Sequence, residues 1–132
     1  MNPREIARFL SVGRIAIGVG LVTAPRFWAP VWVGRDGMSP SARVFARAVG
    51  ARDMALGIGA LLAMAYDTPV RGWIEGAMVA DLADVVVTYL EGDDLPPVSK
   101  PLVYAIGGGA FLAGAAIASY VDDSGPGTES TV

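Results

Sequence analysis

Five ionisable residues interrupt long apolar stretches of the chain, at positions where a charge is costly. They are Arg14, Arg52, Asp53, Asp81 and Asp84. A charged side chain at the middle of a membrane-spanning helix costs about 3 kcal/mol on insertion scales, so such a residue normally faces other helices and finds a partner there. A planar guanidinium can bind a carboxylate through two hydrogen bonds. The sequence therefore predicts a buried Arg/Asp network.

The charge of this predicted network does not balance. Two arginines face three aspartates, which leaves a formal charge of about minus one, so we expect one carboxylate to hold a proton near neutral pH. Three interpretations stay open: an architectural network that fixes the register of the helices, a proton or ligand site, and a contact with a partner subunit. Glu75, by contrast, is expected at the interface, near a helix start.

Composition excludes several classes of chemistry. The 132 residues contain no Cys and no His, which removes disulfides, thiolate nucleophiles, imidazole catalysis and Cys or His metal sites. Hydrophobic residues make up 53% and charged residues 17%, which is more apolar than an ordinary soluble domain. The net charge of −3 and the scattered arginines disfavour nucleic-acid binding. We expect no cofactor and no metal.

Four apolar segments are predicted to carry these charges. They cover residues 3–24, 40–66, 69–91 and 100–121, with Pro25 stopping the first and with Ser39, Asp67 and Ser99 as caps for the other three. About 20 helical residues cross a hydrocarbon core of about 30 Å. We therefore predict an all-α, four-helix transmembrane bundle over residues 1–121, in the cell membrane, followed by a disordered acidic tail over residues 122–132.

Aromatic and small residues refine this prediction. Trp28 and Trp32 are four residues apart in the link after the first segment, which indicates a short interfacial segment between the first and second helices. Small residues at a spacing of four in the last segment predict a close-packed face; they are Gly107, Gly108, Gly109, Ala110, Ala113, Gly114 and Ala118.

The second segment carries a motif. Residues 47–57 read Arg-Ala-Val-Gly-Ala-Arg-Asp-Met-Ala-Leu-Gly, which resembles the R-x-x-G-x-R-D-x-x-L-G signature of small four-helix bacterial membrane proteins that have no established reaction. The layout is also similar, more loosely, to DoxX-like bundles. The resemblance implies an integral membrane protein, and it marks Arg47, Gly50 and Gly57 as motif positions beside Arg52 and Asp53.

These observations rank the possible functions. The sequence favours a non-enzymatic accessory or scaffold protein of the lipid bilayer that docks a protein partner or a second copy of itself. The alternative is a small proton-linked carrier or ligand-binding membrane protein with Asp53, Asp81 and Asp84 as its site. A membrane enzyme ranks third, because the usual nucleophiles and metal ligands are missing.

Overall fold

The computed structural model describes residues 1–123 and is all-helical over them. Most of the predicted tail, residues 124–132, lies outside the described residues. The helices are α1 (Pro3–Thr23), α2 (Pro25–Val33), a 3₁₀ turn (Gly34–Met38), α3 (Pro40–Ala65), α4 (Arg71–Leu90) and α5 (Ser99–Ile117), which contains a π-helical turn (Tyr104–Gly108). The predicted link between the first two segments is thus itself a helix.

Local sequence explains where α1 and α3 begin. The Asn2 side chain accepts a hydrogen bond from the Glu5 amide at 2.8 Å, and the Glu5 carboxylate accepts one from the Asn2 amide at 2.9 Å. This reciprocal pair is a capping box. Ser39 caps α3 by accepting from the Ala42 amide at 3.2 Å. In both helices a proline occupies the first turn, where its missing N–H costs nothing.

Two other predicted caps are wrong. Asp67 has a positive φ of 50° and α4 begins at Arg71, where the Val70 amide donates to the Asp122 carboxylate at 2.7 Å. A side chain 52 residues further along the chain therefore satisfies this amide. Ser99 is the first residue of α5 rather than the residue before it, and its hydroxyl donates to the carbonyl of Trp32. Both predictions failed because the partner is distant in sequence.

Helices α1 and α3 form an antiparallel pair with backbones in close contact. A Cβ atom on Gly18 would lie 2.6 Å from the carbonyl oxygen of Gly50, and one on Gly50 would lie 2.7 Å from that of Gly18. Two turns further along α3, a Cβ atom on Gly57 would lie 2.7 Å from the carbonyl oxygen of Ser11. Only glycine permits these approaches, which bring the two helix axes close together.

The small-residue face predicted for α5 is packed only towards the end of the helix. Cβ atoms on Gly108 and Gly109 would meet nothing within 4 Å, and one on Gly107 would make only ordinary contacts from 3.5 Å. Gly114 is tightly packed, against Met78 at 2.8 Å, and Ala118 is buried one turn later. The tight glycine contacts therefore lie mainly between α1 and α3, and the spacing of four in α5 does not by itself identify a packed face.

Two apolar cores occupy opposite ends of the bundle. The larger core joins the start of α1, the end of α3, the start of α4 and the end of α5 through small residues such as Ala7, Ala60 and Ala118. The smaller core joins the end of α1, α2 and the start of α3 through Leu21 and Ala46 together with Ala29. The five charged residues predicted to form a network lie between these cores.

Three helices among residues 1–123 are long and apolar enough to cross a membrane. They are α1 with 21 residues, α3 with 26 and α5 with 19. Helix α4, which corresponds to the third predicted segment, has 20 residues but carries Asp81, Asp84 and the exposed ion pair Arg71 to Glu75, whose Nε to Oε1 distance is 2.6 Å. These charged residues distinguish α4 from the other three helices. Glu75 lies near the start of α4, as expected.

Candidate functional site

The five charged residues meet at one level of the bundle. Arg14 comes from α1, Arg52 and Asp53 from α3, and Asp81 and Asp84 from α4. Asp53 and Asp81 are buried, with 7% and 6% of their surface exposed. Each residue lies near the middle of its helix, so the antiparallel packing of α1 against α3 places them at similar depth. Buried Arg/Asp salt bridges are thus a feature of the structure.

Arg14 connects three helices. Its Nη1 lies 3.1 Å from Asp53 Oδ1, and its Nη2 lies 2.5 Å from Asp81 Oδ2. The Arg14 side chain is only 9% exposed, so both bonds form away from bulk water. Hydrogen bonds between ionised groups are shorter and stronger than neutral ones. Arg14 therefore ties α1 to both α3 and α4 through charge.

Arg52 binds Asp84 and shares Asp53 with Arg14. Its Nη1 and Nη2 donate to Asp84 Oδ1 and Oδ2 at 3.0 and 2.7 Å, which is the two-point geometry expected for arginine. Its Nε and Nη2 also donate to Asp53 Oδ1 at 3.2 and 3.0 Å. Asp53 Oδ1 therefore accepts from both arginines and joins the two halves of the network.

The network retains an excess of negative charge and two unused acceptors. Asp53 Oδ2 and Asp81 Oδ1 accept no hydrogen bond from the described residues, although Oδ1 of Asp53 and Oδ2 of Asp81 do. Among residues 1–123, every fully buried side-chain nitrogen or oxygen atom has a hydrogen-bond partner. Because these two oxygen atoms have no hydrogen-bond partner, they are not fully buried.

A cavity of about 360 Å³ borders the network. One wall of the cavity contains Arg14, Asp53, Asp81 and Asp84, and the remaining walls are almost entirely apolar. Those walls come from α1, α2, the start of α3 and α5; their residues include Phe9, Ile17, Leu21, Trp28, Trp32, Val49, Leu102, Val103 and Ile106. The volume falls within the range of small-molecule sites, which are mostly apolar with a few polar groups.

A second, much smaller cavity also borders the network. It measures about 20 Å³ and is lined by Ser11, Trp73 and Gly114 among others, and it shares Arg14 and Asp81 with the larger cavity. Space of this size holds about one water molecule. The Arg14 to Asp81 ion pair therefore borders both cavities, as do Leu10 and Ala110.

The motif positions outside the network all serve the contact between α1 and α3. Arg47 Nε donates to the Val22 carbonyl oxygen at 3.1 Å, near the end of α1 where carbonyl groups lack helical partners. Arg4 does the same at the end of α3, donating to the Met64 carbonyl oxygen at 3.3 Å. Gly50 and Gly57 allow the backbone contacts described above. The motif therefore combines helix packing with two members of the charged network.

Sequence reasoning missed a polar connection between α2, α4 and α5. Trp32 Nε1 donates to Thr88 Oγ1 at 2.9 Å, and Thr88 donates in turn to the Asp84 carbonyl oxygen at 2.7 Å. Thr88 is 1% exposed and Ser99 is fully buried. A Thr and a Ser in apolar segments were the available signal, because a buried hydroxyl needs a partner. These bonds hold α2 against the bundle beside the cavity.

Metal binding receives no support within the part of the chain that is described. Residues 1–123 contain no group of three or more His, Cys, Asp or Glu side chains placed to hold a metal ion. The three aspartates of the network form ion pairs with arginines. The chain matches no protein-family model, no curated protein and no solved structure.

Proposed function

We propose that the chain is an integral membrane protein of four spans, with α4 as the fourth. The apolar surface supports this proposal: Phe9, Phe45 and Leu112 are 71%, 70% and 67% exposed, and such side chains are stable in lipid. Helix α4 is about 30 Å long at 1.5 Å per residue, which matches a hydrocarbon core. Its two aspartates bind arginines inside the bundle, so they do not add charge to its outer face.

Exposed tyrosines near the ends of the bundle support the same placement. Tyr66 and Tyr120, which follow α3 and α5, are 76% and 61% exposed at one end. Tyr89, near the end of α4, is 70% exposed at the other. Amphipathic rings of this kind favour the level of the lipid headgroups. The exposed face of α2 would lie at the same level as Tyr89, as the interfacial segment expected from the sequence.

The function that the geometry supports best is reversible binding of a lipophilic small molecule inside the membrane. The observation that carries this proposal is the 360 Å³ cavity whose polar wall is the Arg/Asp network. A purely architectural network would be best served by a fully packed surrounding, since buried ion pairs need every hydrogen bond that they can make. Here two of the aspartates that line the cavity each keep a carboxylate oxygen without a hydrogen bond. The ligand-binding alternative is therefore preferred to a scaffold.

A cavity-filling variant tests the proposal. Gly13 lines the cavity, and a Cβ atom there would meet nothing within 4 Å, so Gly13→Leu places a side chain in the cavity without a backbone clash. Gly109→Leu is the matched control, because Gly109 is also an exposed helical glycine with open space but lies outside the cavity lining. Both changes favour the helix by up to about 1 kcal/mol.

Three probes of similar shape and different charge are suitable: tetraphenylphosphonium, triphenylphosphine oxide and tetraphenylborate. Equilibrium dialysis with full-length protein in nanodiscs measures saturable binding above that of empty nanodiscs. We expect at least one probe to bind the wild type and Gly109→Leu equally and to lose at least about tenfold in affinity for Gly13→Leu, which corresponds to 1.4 kcal/mol. No saturable binding of any probe, or equal binding by both variants, would refute the proposal.

A further inference from the structure

The charge of the cavity wall indicates the class of ligand, an inference that rests on the proposed function. We infer that the cavity binds a lipophilic monovalent cation, and that the bound cation takes the place of one proton on the Arg/Asp network. The first observation is the count of charges. Two guanidinium groups and three carboxylates form one continuous set of ion pairs, with a formal charge of −1 when all are ionised.

No other helix corrects this imbalance. Helix α1 contributes Arg14, α3 contributes Arg52 and Asp53, and α4 contributes Asp81 and Asp84 to the network. The residues with which α2 and α5 line the cavity are all uncharged. Within the described residues, the excess charge therefore faces an apolar cavity, where an uncompensated charge is expensive. One positive charge restores neutrality.

Two of the aspartates that line the cavity have a carboxylate oxygen without a hydrogen bond. Asp53 Oδ2 and Asp81 Oδ1 are the two oxygens without a hydrogen bond, and both residues line the cavity. Of the two arginines only Arg14 lines the cavity, and its Nη1 and Nη2 donate to Asp53 and Asp81. A cation can approach the open oxygens, whereas an anion would add a second negative charge beside three carboxylates. The apolar walls select a cation with a large hydrophobic body.

A proton and an organic cation satisfy the same requirement, so they exclude one another. One proton taken up by the network would neutralise it when the cavity lacks a cation. Binding of the cation to the neutral network would raise its charge to plus one, which favours release of that proton. The exchange balances: one cation enters and one proton leaves, with no bond broken other than O–H. Affinity for the cation therefore rises with pH, by at most about tenfold per pH unit.

The test compares the same three probes in nanodiscs between pH 6 and pH 8. We expect tetraphenylphosphonium to bind at least about tenfold more tightly than tetraphenylborate, and its affinity to rise at least about threefold from pH 6 to pH 8. Binding of neutral triphenylphosphine oxide should change less than twofold over the same range. These measurements use the wild type alone, so they do not depend on the folding of any variant.

The variant Asp81→Asn adds a charge-specific control. Its amide oxygen can still accept from Arg14, while the network becomes formally neutral with both arginines paired. We expect it to lose at least about tenfold in affinity for the phosphonium and to lose the pH dependence of that affinity. Equal affinity for cation and anion, or phosphonium binding indifferent to pH in the wild type, would overturn the inference and leave the proposed function intact. Absence of binding by all three probes overturns both.

Discussion

Removing the Arg14 guanidinium is the sharpest test of how the charged network stabilises the fold. The change Arg14→Met keeps an apolar stem of similar length but leaves Asp81 without its ion-pair partner, and Asp53 with Arg52 alone. The formal charge of the network goes from −1 to −2. Because Arg14 and Asp81 are each only 9% exposed, breaking the pair should cost about 3 to 5 kcal/mol.

The double variant Arg14→Met/Asp81→Leu should recover most of this loss. It removes one charge of each sign, so the network returns to −1, and Asp53 and Asp84 keep their bonds to Arg52. Replacing a buried ion pair with apolar residues of similar volume is often close to neutral in stability. We expect the double variant to be at least about 2 kcal/mol more stable than Arg14→Met.

Unfolding in mixed micelles, followed by circular dichroism during titration with a denaturing detergent, measures these free energies. Arg71→Met is the matched control, because Arg71 forms an exposed pair with Glu75, and exposed ion pairs contribute little to stability. If Arg14→Met costs no more than Arg71→Met, or if the double variant is no more stable than Arg14→Met, the network does not stabilise the fold in the way described.

Two further variants test the packing. Gly50→Ala would place a Cβ atom 2.7 Å from the Gly18 carbonyl oxygen, about 0.7 Å short of ordinary contact, and should destabilise the protein by about 1 to 3 kcal/mol. The control Gly13→Ala has open space around the new Cβ atom and should stabilise the protein by up to about 1 kcal/mol. Equal effects of the two variants in the same assay would contradict the backbone contact. Asp122→Ala removes the acceptor of the Val70 amide, 2.7 Å away, and should cost about 1 kcal/mol and speed hydrogen exchange at the start of α4; unchanged exchange would refute this role.

Part of this structure follows from the sequence because it depends on local chemistry. Asn2 and Ser39 begin their helices through side chains that bond the next few amides, and proline follows both. The meeting of Arg14 with aspartates follows from depth: charges near the middle of neighbouring helices have few other partners than one another. Neither inference needs knowledge of which helices are neighbours.

The remaining features depend on neighbours, which the sequence does not identify. Gly50 contacts another backbone while Gly109 has open space, although both are helical glycines in apolar segments. Asp122 satisfies an amide at the start of α4 although the sequence around it is typical of a solvated tail. The pairing of Arg52 with Asp84 rather than Asp81 depends on the rotation of α4. The cavity exists because α2 folds back beside α5, which no local pattern predicts.

The contrast between the two sides of the cavity has a mechanical consequence. On one side, α1 and α3 touch backbone to backbone at Gly18 and Gly50, so their separation can hardly change without breaking contacts along both helices. On the other side, α5 contains the π-helical turn Tyr104–Gly108, and two glycines at its end have open space. The cavity thus has a stiff wall formed by α1 and α3 and a more compliant wall formed by α5. Bulkier ligands would be accommodated by bending α5.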